Sequence, residues 1–452
     1  MVRLLISLAV TVGVVCGILW LRGGAESPPG AEATLILGLT LLAAHALGLL
    51  LKPLGLPLVT GYLLLGLAAG PHALRLISHE AVGELRLIND IALALIALTA
   101  GGELVLRQLR PLMRSILSIT LIQIVIIACG MGLFFALIAG HVSFAQGLGA
   151  RDLLAIALLI GVISVAKSPA TTIAIITETR ASGRFTETVL GVTILKDVLV
   201  ILLFAVVFAL ADVLIRPGSE MALYDLGTIA FSLVASVAVG SLLAAGLAPL
   251  LPRAGRQLPV LVAGTAICAA AVARPLGLDP LILCIAAGFG VRNFTSRGRE
   301  LVLGIESVAP MIYAVFFTLT GAGLDITALG AMWQIALLIV LMRAALTFSS
   351  TWLGSRLVED IPAVRNLGWM GFIAQAGVTL GLSALVAAHF PGWGRPLQTL
   401  IVAAVVINQI VGPVLFKLAL ILSGEAATPS LRDRFPGRLV ITPGRSVTES
   451  TT

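Results

Sequence analysis

Four ionisable side chains stand where the surrounding sequence offers an ion no water. Lys167 lies in SVAKSPATT, Lys196 and Asp197 in TILKDVLVILL, and Arg343 in IALLIVLMRAALTF. A charged group at the centre of a bilayer costs about 3 kcal/mol or more, so such residues are rare and serve a mechanism or a paired structure. A carboxylate held there takes a proton or a small monovalent cation, but not both at once. If one such site is exposed to each aqueous side in turn, the two ions are obliged to exchange. Asp197 is the candidate for that site. Lys196 and Lys167 are candidate ion- or proton-binding neighbours, and Arg343 a charge-compensating cation. Ser164, Ser168 and Thr171, close to Lys167, are possible oxygen ligands. Glu103, Glu306 and Asp325 lie nearer segment ends, within reach of the interface.

The rest of the chain is built to hold such a group in a membrane. Of 452 residues, 59% are hydrophobic and 11% charged, against roughly 25% charged in a soluble domain. Apolar segments of spanning length recur at 3–21, 34–51, 57–74, 87–106, 115–140, 152–178, 186–215, 225–250, 258–274, 279–293, 301–323, 330–354, 366–389 and 396–422. Val2 and Arg3, then an apolar run and GGAESPPGAEA, mark residues 1–31 as a signal-like or extra N-terminal helix with its linker. Residues 32–422 read as the transmembrane domain and 423–452 as a short, disordered tail. With 47 glycines and only 5% aromatics, close contact between small-residue helix faces is expected.

Basic residues gather in alternate loops: Arg107, Arg110 and Arg114; Arg180 and Arg184; Arg253 and Arg256; Arg292, Arg297 and Arg299; then Arg432, Arg434, Arg438 and Arg445. Opposite loops mostly hold one each, such as Arg151, Arg216 or Arg395. This asymmetry places the C-terminus in the cytoplasm. The net charge of +7 therefore reflects topology, not affinity for nucleic acid. Cys16, Cys129, Cys268 and Cys284 fall in apolar stretches without metal-ligand or disulfide spacing, and read as buried structural thiols. The histidines, His45, His72, His79, His141 and His389, need no catalytic explanation. No nucleophile–base pair, zinc spacing or phosphate loop suggests an enzyme or a cofactor.

Two echoes indicate an internal repeat. LGLPLVTGYLLLGLAAG from Leu54 returns as LGLDPLILCIAAGFG from Leu276, and LTAGGEL from Leu98 as LTGAGLD from Leu319, both about 222 residues apart. The offset spans seven segments, so the copies would be inverted in the membrane. A slightly shorter offset pairs 152–178, interrupted at Pro169, with 366–389, which Gly377 and Gly381 are expected to loosen. Two broken helices in matching halves point to a transporter's binding site.

These residues resemble the monovalent cation:proton antiporter superfamily, the branch of sodium/proton exchangers and potassium-efflux systems, over roughly 34–422. LPLVTGYLLLGLAAGP is similar to the family's early Gly-Tyr and Gly-Pro helix, and FFTLTGAGLD to its Phe-Phe, Gly-Leu-Asp signature. AQAGVTL matches its second broken helix, Lys196-Asp197 its polar-Asp pair, and Arg343 its basic residue before the second break. The resemblance implies an all-α polytopic protein of 13 transmembrane helices besides the N-terminal one, with inverted repeats and two broken crossing helices. It further implies a homodimer whose core, segments five to eight and twelve to fourteen, moves like an elevator against a scaffold.

The expected function is exchange of protons for Na⁺ or K⁺ across the inner membrane of a bacterium. Alternatives are a proton-coupled transporter of an anion or other solute on the same fold, or a non-transporting sensor. The chain departs from the pattern at Lys196 and Lys167, which put ammonium groups where the family presents oxygens. Contact between either ammonium and the Asp197 carboxylate would mean that lysine substitutes for the cation.

Overall fold

The computed structural model describes residues 38, 42, 43, 47, 56–78, 80, 83, 85–215, 221–273 and 275–426. The expected helix at 3–21, most of segment 34–51 and the tail beyond 426 lie outside them. Every described element is helical: α1 (Leu58–Ala69), α2 (Arg86–Glu103), α3 (Met113–Ile138), α4 (Ala150–Val165), α5 (Pro169–Thr179), α6 (Arg184–Ile215) and α7 (Met221–Leu247). There follow α8 (Leu258–Ala273), α9 (Pro280–Phe294), α10 (Gly298–Ala322), α11 (Ile326–Leu357), α12 (Pro362–Leu367), α13 (Gly377–His389) and α14 (Gly394–Leu422), besides shorter turns. The expected segments from 57–74 onward are all found within a few residues of their bounds, except that α1 stops at Ala69.

Two groups of helices emerge from the packing. One apolar cluster joins α3, α4, α6, α11, α13 and α14, and includes Phe135, Ile160, Phe204, Ile339 and Leu397. Another joins α2, α7, α8, α9 and α10 through Leu98, Leu247, Val262, Leu283 and Ile305. Segment 225–250, assigned to the core by resemblance, is corrected here: as α7 it packs mainly along α9, because small residues on both helices admit close approach. A third cluster, with Tyr62, Ile173, Phe185, Phe317 and Phe416, bridges the two groups.

The sequence echoes recur as matching contacts. Between α1 and α10, a Cβ on Gly66 would stand 1.9 Å from the Thr318 oxygen, and one on Gly321 2.2 Å from the Leu63 oxygen. Between α9 and α2, a Cβ on Gly288 would stand 2.3 Å from the Leu98 oxygen, and one on Gly101 2.1 Å from the Ile285 oxygen. In both pairs each glycine lies three residues after the carbonyl on its own helix that the partner glycine meets, so the helix axes approach in the same register. Each half contributes one helix to each contact.

Both interrupted segments are broken, for different local reasons. Ala166, at the end of α4, is extended, and Ser168 caps α5 by accepting from the Thr171 amide at 3.2 Å. Pro169 follows at the first helical position, where its missing N–H costs nothing. The second segment turns through a 3-10 stretch, Gly368–Phe372, then residues 373–376 belong to no helix and α13 begins at Gly377. The two halves meet at 47°. Gly381 lies inside α13, so it does not make the break. Contrary to the expectation of buried thiols, the described cysteines differ in exposure. Cys284 is buried, but Cys129 and Cys268 are exposed on the outside of the helix bundle, where apolar lipid accepts a thiol as readily as a core does.

Candidate functional site

The two breaks cross and are joined backbone to backbone, the Ser168 amide donating to the Ala374 oxygen at 2.9 Å. Half-helix ends in the middle of a membrane leave carbonyls that lipid cannot satisfy. Arg343, buried on α11, answers four of them. Its Nε donates to the Ser164 oxygen at 2.7 Å and its Nη1 to the Ile373 oxygen at 2.8 Å. Its Nη2 reaches the Ala166 and Phe372 oxygens, both at 3.1 Å. One planar fork thus holds the C-terminal ends of both half-helices. Around it, Gln375 donates to the Ala166 oxygen and accepts from Asn408, while Gln409 donates to Thr171 Oγ1. Thr171 Oγ1 in turn donates to Ser168 Oγ at 2.9 Å.

Asp197 and Lys196 are both buried on α6, yet they do not form a pair. Lys196 Nζ donates to Gln123 Oε1 at 2.6 Å, and Gln123 is held in turn by its donation to Thr351. Lys167 Nζ donates to Thr172 Oγ1 at 2.7 Å, to Thr193 Oγ1 and to the Gly371 oxygen at 2.9 Å. Both ammonium nitrogens lie over the Phe372 ring, 5.0 and 5.1 Å from its centroid, near enough for cation–π attraction. Asp197 makes no ion pair within 4 Å, and its Oδ1 is buried without a hydrogen-bond partner among the described residues. The charges acting on it through space are Asp279, Lys167 and Lys196.

Of the expected residues, the structure therefore brings Ser164, Ser168, Thr171 and Arg343 together at the crossing, with Lys167 rooted in it. It turns both lysines away from Asp197. Residues not anticipated are Gln123, Thr172, Thr193, Phe372, Gln375, Asn408, Gln409 and Asp279. A polar residue recurring on helices otherwise made of Leu, Ile, Val and Ala was the available signal for Gln123, Asn408 and Gln409.

A cavity of about 540 Å³ opens between the breaks and the second group of helices. Ser168, Pro169, Ala376 and Gly377 lie on one wall, with Leu93, Leu281, Phe316 and Thr320 on the other. At the opposite membrane face the same groups are closed by polar ties. Lys417 Nζ donates to Glu178 Oε1 at 2.9 Å and to the Leu56 oxygen at 3.0 Å. Glu178 Oε2 accepts from the Leu58 amide at 2.8 Å, capping α1.

Residues 38–422 match the family described as sodium/hydrogen exchanger, transmembrane. The chain belongs to that family. Its fold is shared by the sodium proton antiporter MjNhaP1 from Methanocaldococcus jannaschii. The structure of that antiporter at pH 8 is 18% identical at a TM-score of 0.63, covering 86% of this chain and 95% of the other. A second structure, from an electron-microscopy map, is 19% identical at a TM-score of 0.69, covering 87% and 98%. No curated protein matches. As a member of the family this chain is a membrane antiporter of cations and protons, and its structural neighbours are transporters.

Proposed function

We propose that the chain exchanges protons for a monovalent cation, Na⁺ or K⁺, with Asp197 as the carboxylate that changes its guest. The observation that carries this reading is a buried carboxylate oxygen left unpartnered while both adjacent lysines are engaged elsewhere. An unpaired buried charge is too costly to keep unless an exchanged ion meets it. Ser164, Ser168 and Thr171 supply oxygens near the break, Lys196 modulates the field at Asp197, and Arg343 compensates the half-helix ends. An anion transporter has less support, because both ammonium groups already face protein oxygens. In proteoliposomes carrying a preset pH gradient, addition of Na⁺, Li⁺ or K⁺ should collapse the gradient within seconds. Indifference to all three cations removes the proposal.

The same reading takes the first helix group, with α5, as a moving core and the second, with α1, as the scaffold of an elevator, built from 13 spanning helices in inverted repeats. The open cavity on one side, and on the other the ties from Lys417 to the Leu56 oxygen and from Glu178 to the Leu58 amide, are what one half of such a cycle requires. By charge asymmetry the tied side, with the end of α14, is cytoplasmic in a bacterial inner membrane, and the open state faces outward. A homodimer through the scaffold completes the proposal, to be read by cross-linking in native membranes. Lys417→Ala combined with Glu178→Ala removes both ties and should increase labelling of a cytoplasm-side cysteine placed at Thr177. Unchanged labelling in that variant would count against core movement at this interface.

A further inference from the structure

We propose that Thr172 Oγ1, Thr193 Oγ1 and the Gly371 oxygen form a built-in site for a primary ammonium ion, kept filled by the chain's own Lys167. Thr193 Oγ1 gives its proton to the Val189 oxygen, and Thr172 Oγ1 gives its own to the Ser168 oxygen at 3.3 Å. A hydroxyl has one proton to donate, so both turn lone pairs toward Lys167. The Gly371 carbonyl is an acceptor by nature. Three acceptors and no donor converge on one nitrogen, and an –NH₃⁺ group has three hydrogens to meet them. A neutral amine would have only two, and would set its lone pair against an oxygen. The Phe372 ring closes the site with its negative face, 5.0 Å from the nitrogen.

The ligand class follows from this geometry. Three neutral oxygens set for directed hydrogen bonds suit a primary ammonium ion better than Na⁺, which binds more tightly where oxygens are more numerous. Elements of both half-molecules supply the oxygens: α5, α6 and the stretch after α12. Lys167 enters from the first break itself. Filling the site with a tethered charge locks the break to α6 and to the second broken segment at once. On the reading that Asp197 is the exchanged carboxylate, the tethered ammonium is a permanent part of the core, and the travelling ion is left to a separate place.

The test is thermal unfolding of purified full-length protein in methylammonium, against choline, at equal ionic strength. Lys167→Ala opens the site and should gain about 2–4 °C in ~100 mM methylammonium. Lys167→Met fills the space with an uncharged chain, and it should respond no more than the wild type. Methylammonium at the cargo site is a separate matter, so both variants are also made with Asp197→Asn. The gain should persist there even if the proposed exchange at Asp197 is wrong. A gain equal in choline, or shared by wild type and Lys167→Met, overturns the site. So does a Lys167→Ala protein that fails to stay monodisperse in every salt, because the free ion should restore what the tether supplied.

Discussion

Asp197→Asn should reduce cation-driven proton flux to the level of empty liposomes, a loss of about 100-fold or more, while leaving the protein at least as heat-stable as the wild type. Asparagine keeps nearly the shape of aspartate but neither binds a proton in this range nor attracts a cation. A hundredfold loss corresponds to about 2.7 kcal/mol, a small part of what a buried charge and its ion exchange between them. The stability half is more discriminating. Among the described residues Oδ1 of Asp197 is buried without a partner, and an uncompensated carboxylate costs more to bury than a neutral amide. If Asp197 were kept for structure, as half of a fixed ion pair, the variant would melt earlier. Flux assays and scanning fluorimetry on one preparation therefore separate the two roles. Wild-type flux in the variant would end the case for Asp197.

Much of the scaffold was legible because membrane insertion writes helices as apolar runs of fixed length. The first break was legible because Pro169 cannot continue a helix. The second has no proline. Its break at 373–376 is held open by Arg343 from α11 and by the Ser168 amide, partners about 30 and 200 residues away, and the nearby glycines are only an indirect sign of it. The repeat was legible as a weak echo, and its contacts became definite only once glycines and carbonyls were seen to match across two helix crossings.

The sequence was least informative about direction. Lys196 and Asp197 are neighbours in the chain, which suggests a pair, but successive residues on a helix point about 100° apart and do not face each other. Lys196 therefore reaches α3 and Gln123, and Asp197 is left alone. Gln123 and Asn408 stand out as polar residues on apolar helices, but their roles, and that of Thr193, are not legible there, because a neutral polar residue looks the same whether it holds a charge or packs on a backbone. What distinguishes them is a partner that only the folded chain supplies.

Arg343→Ala should be the most damaging single change to the fold. Four buried carbonyls, at Ser164, Ala166, Phe372 and Ile373, would lose a charged donor, and among the described residues only the Ala166 oxygen keeps a second side-chain partner, Gln375. Each unsatisfied buried acceptor costs about 1–3 kcal/mol, and removing a large buried side chain adds a void. A loss of roughly 4 kcal/mol or more is a large share of the stability a protein has to spare, about 5–15 kcal/mol. The melting temperature should fall by on the order of 5–10 °C, with poor recovery from detergent. Arg343→Lys separates the reasons. An ammonium keeps the charge but has no planar fork to reach both breaks, so it should recover only part of the loss. Full recovery with lysine would mean that compensating charge, rather than the joining of two half-helix ends, is what this position supplies.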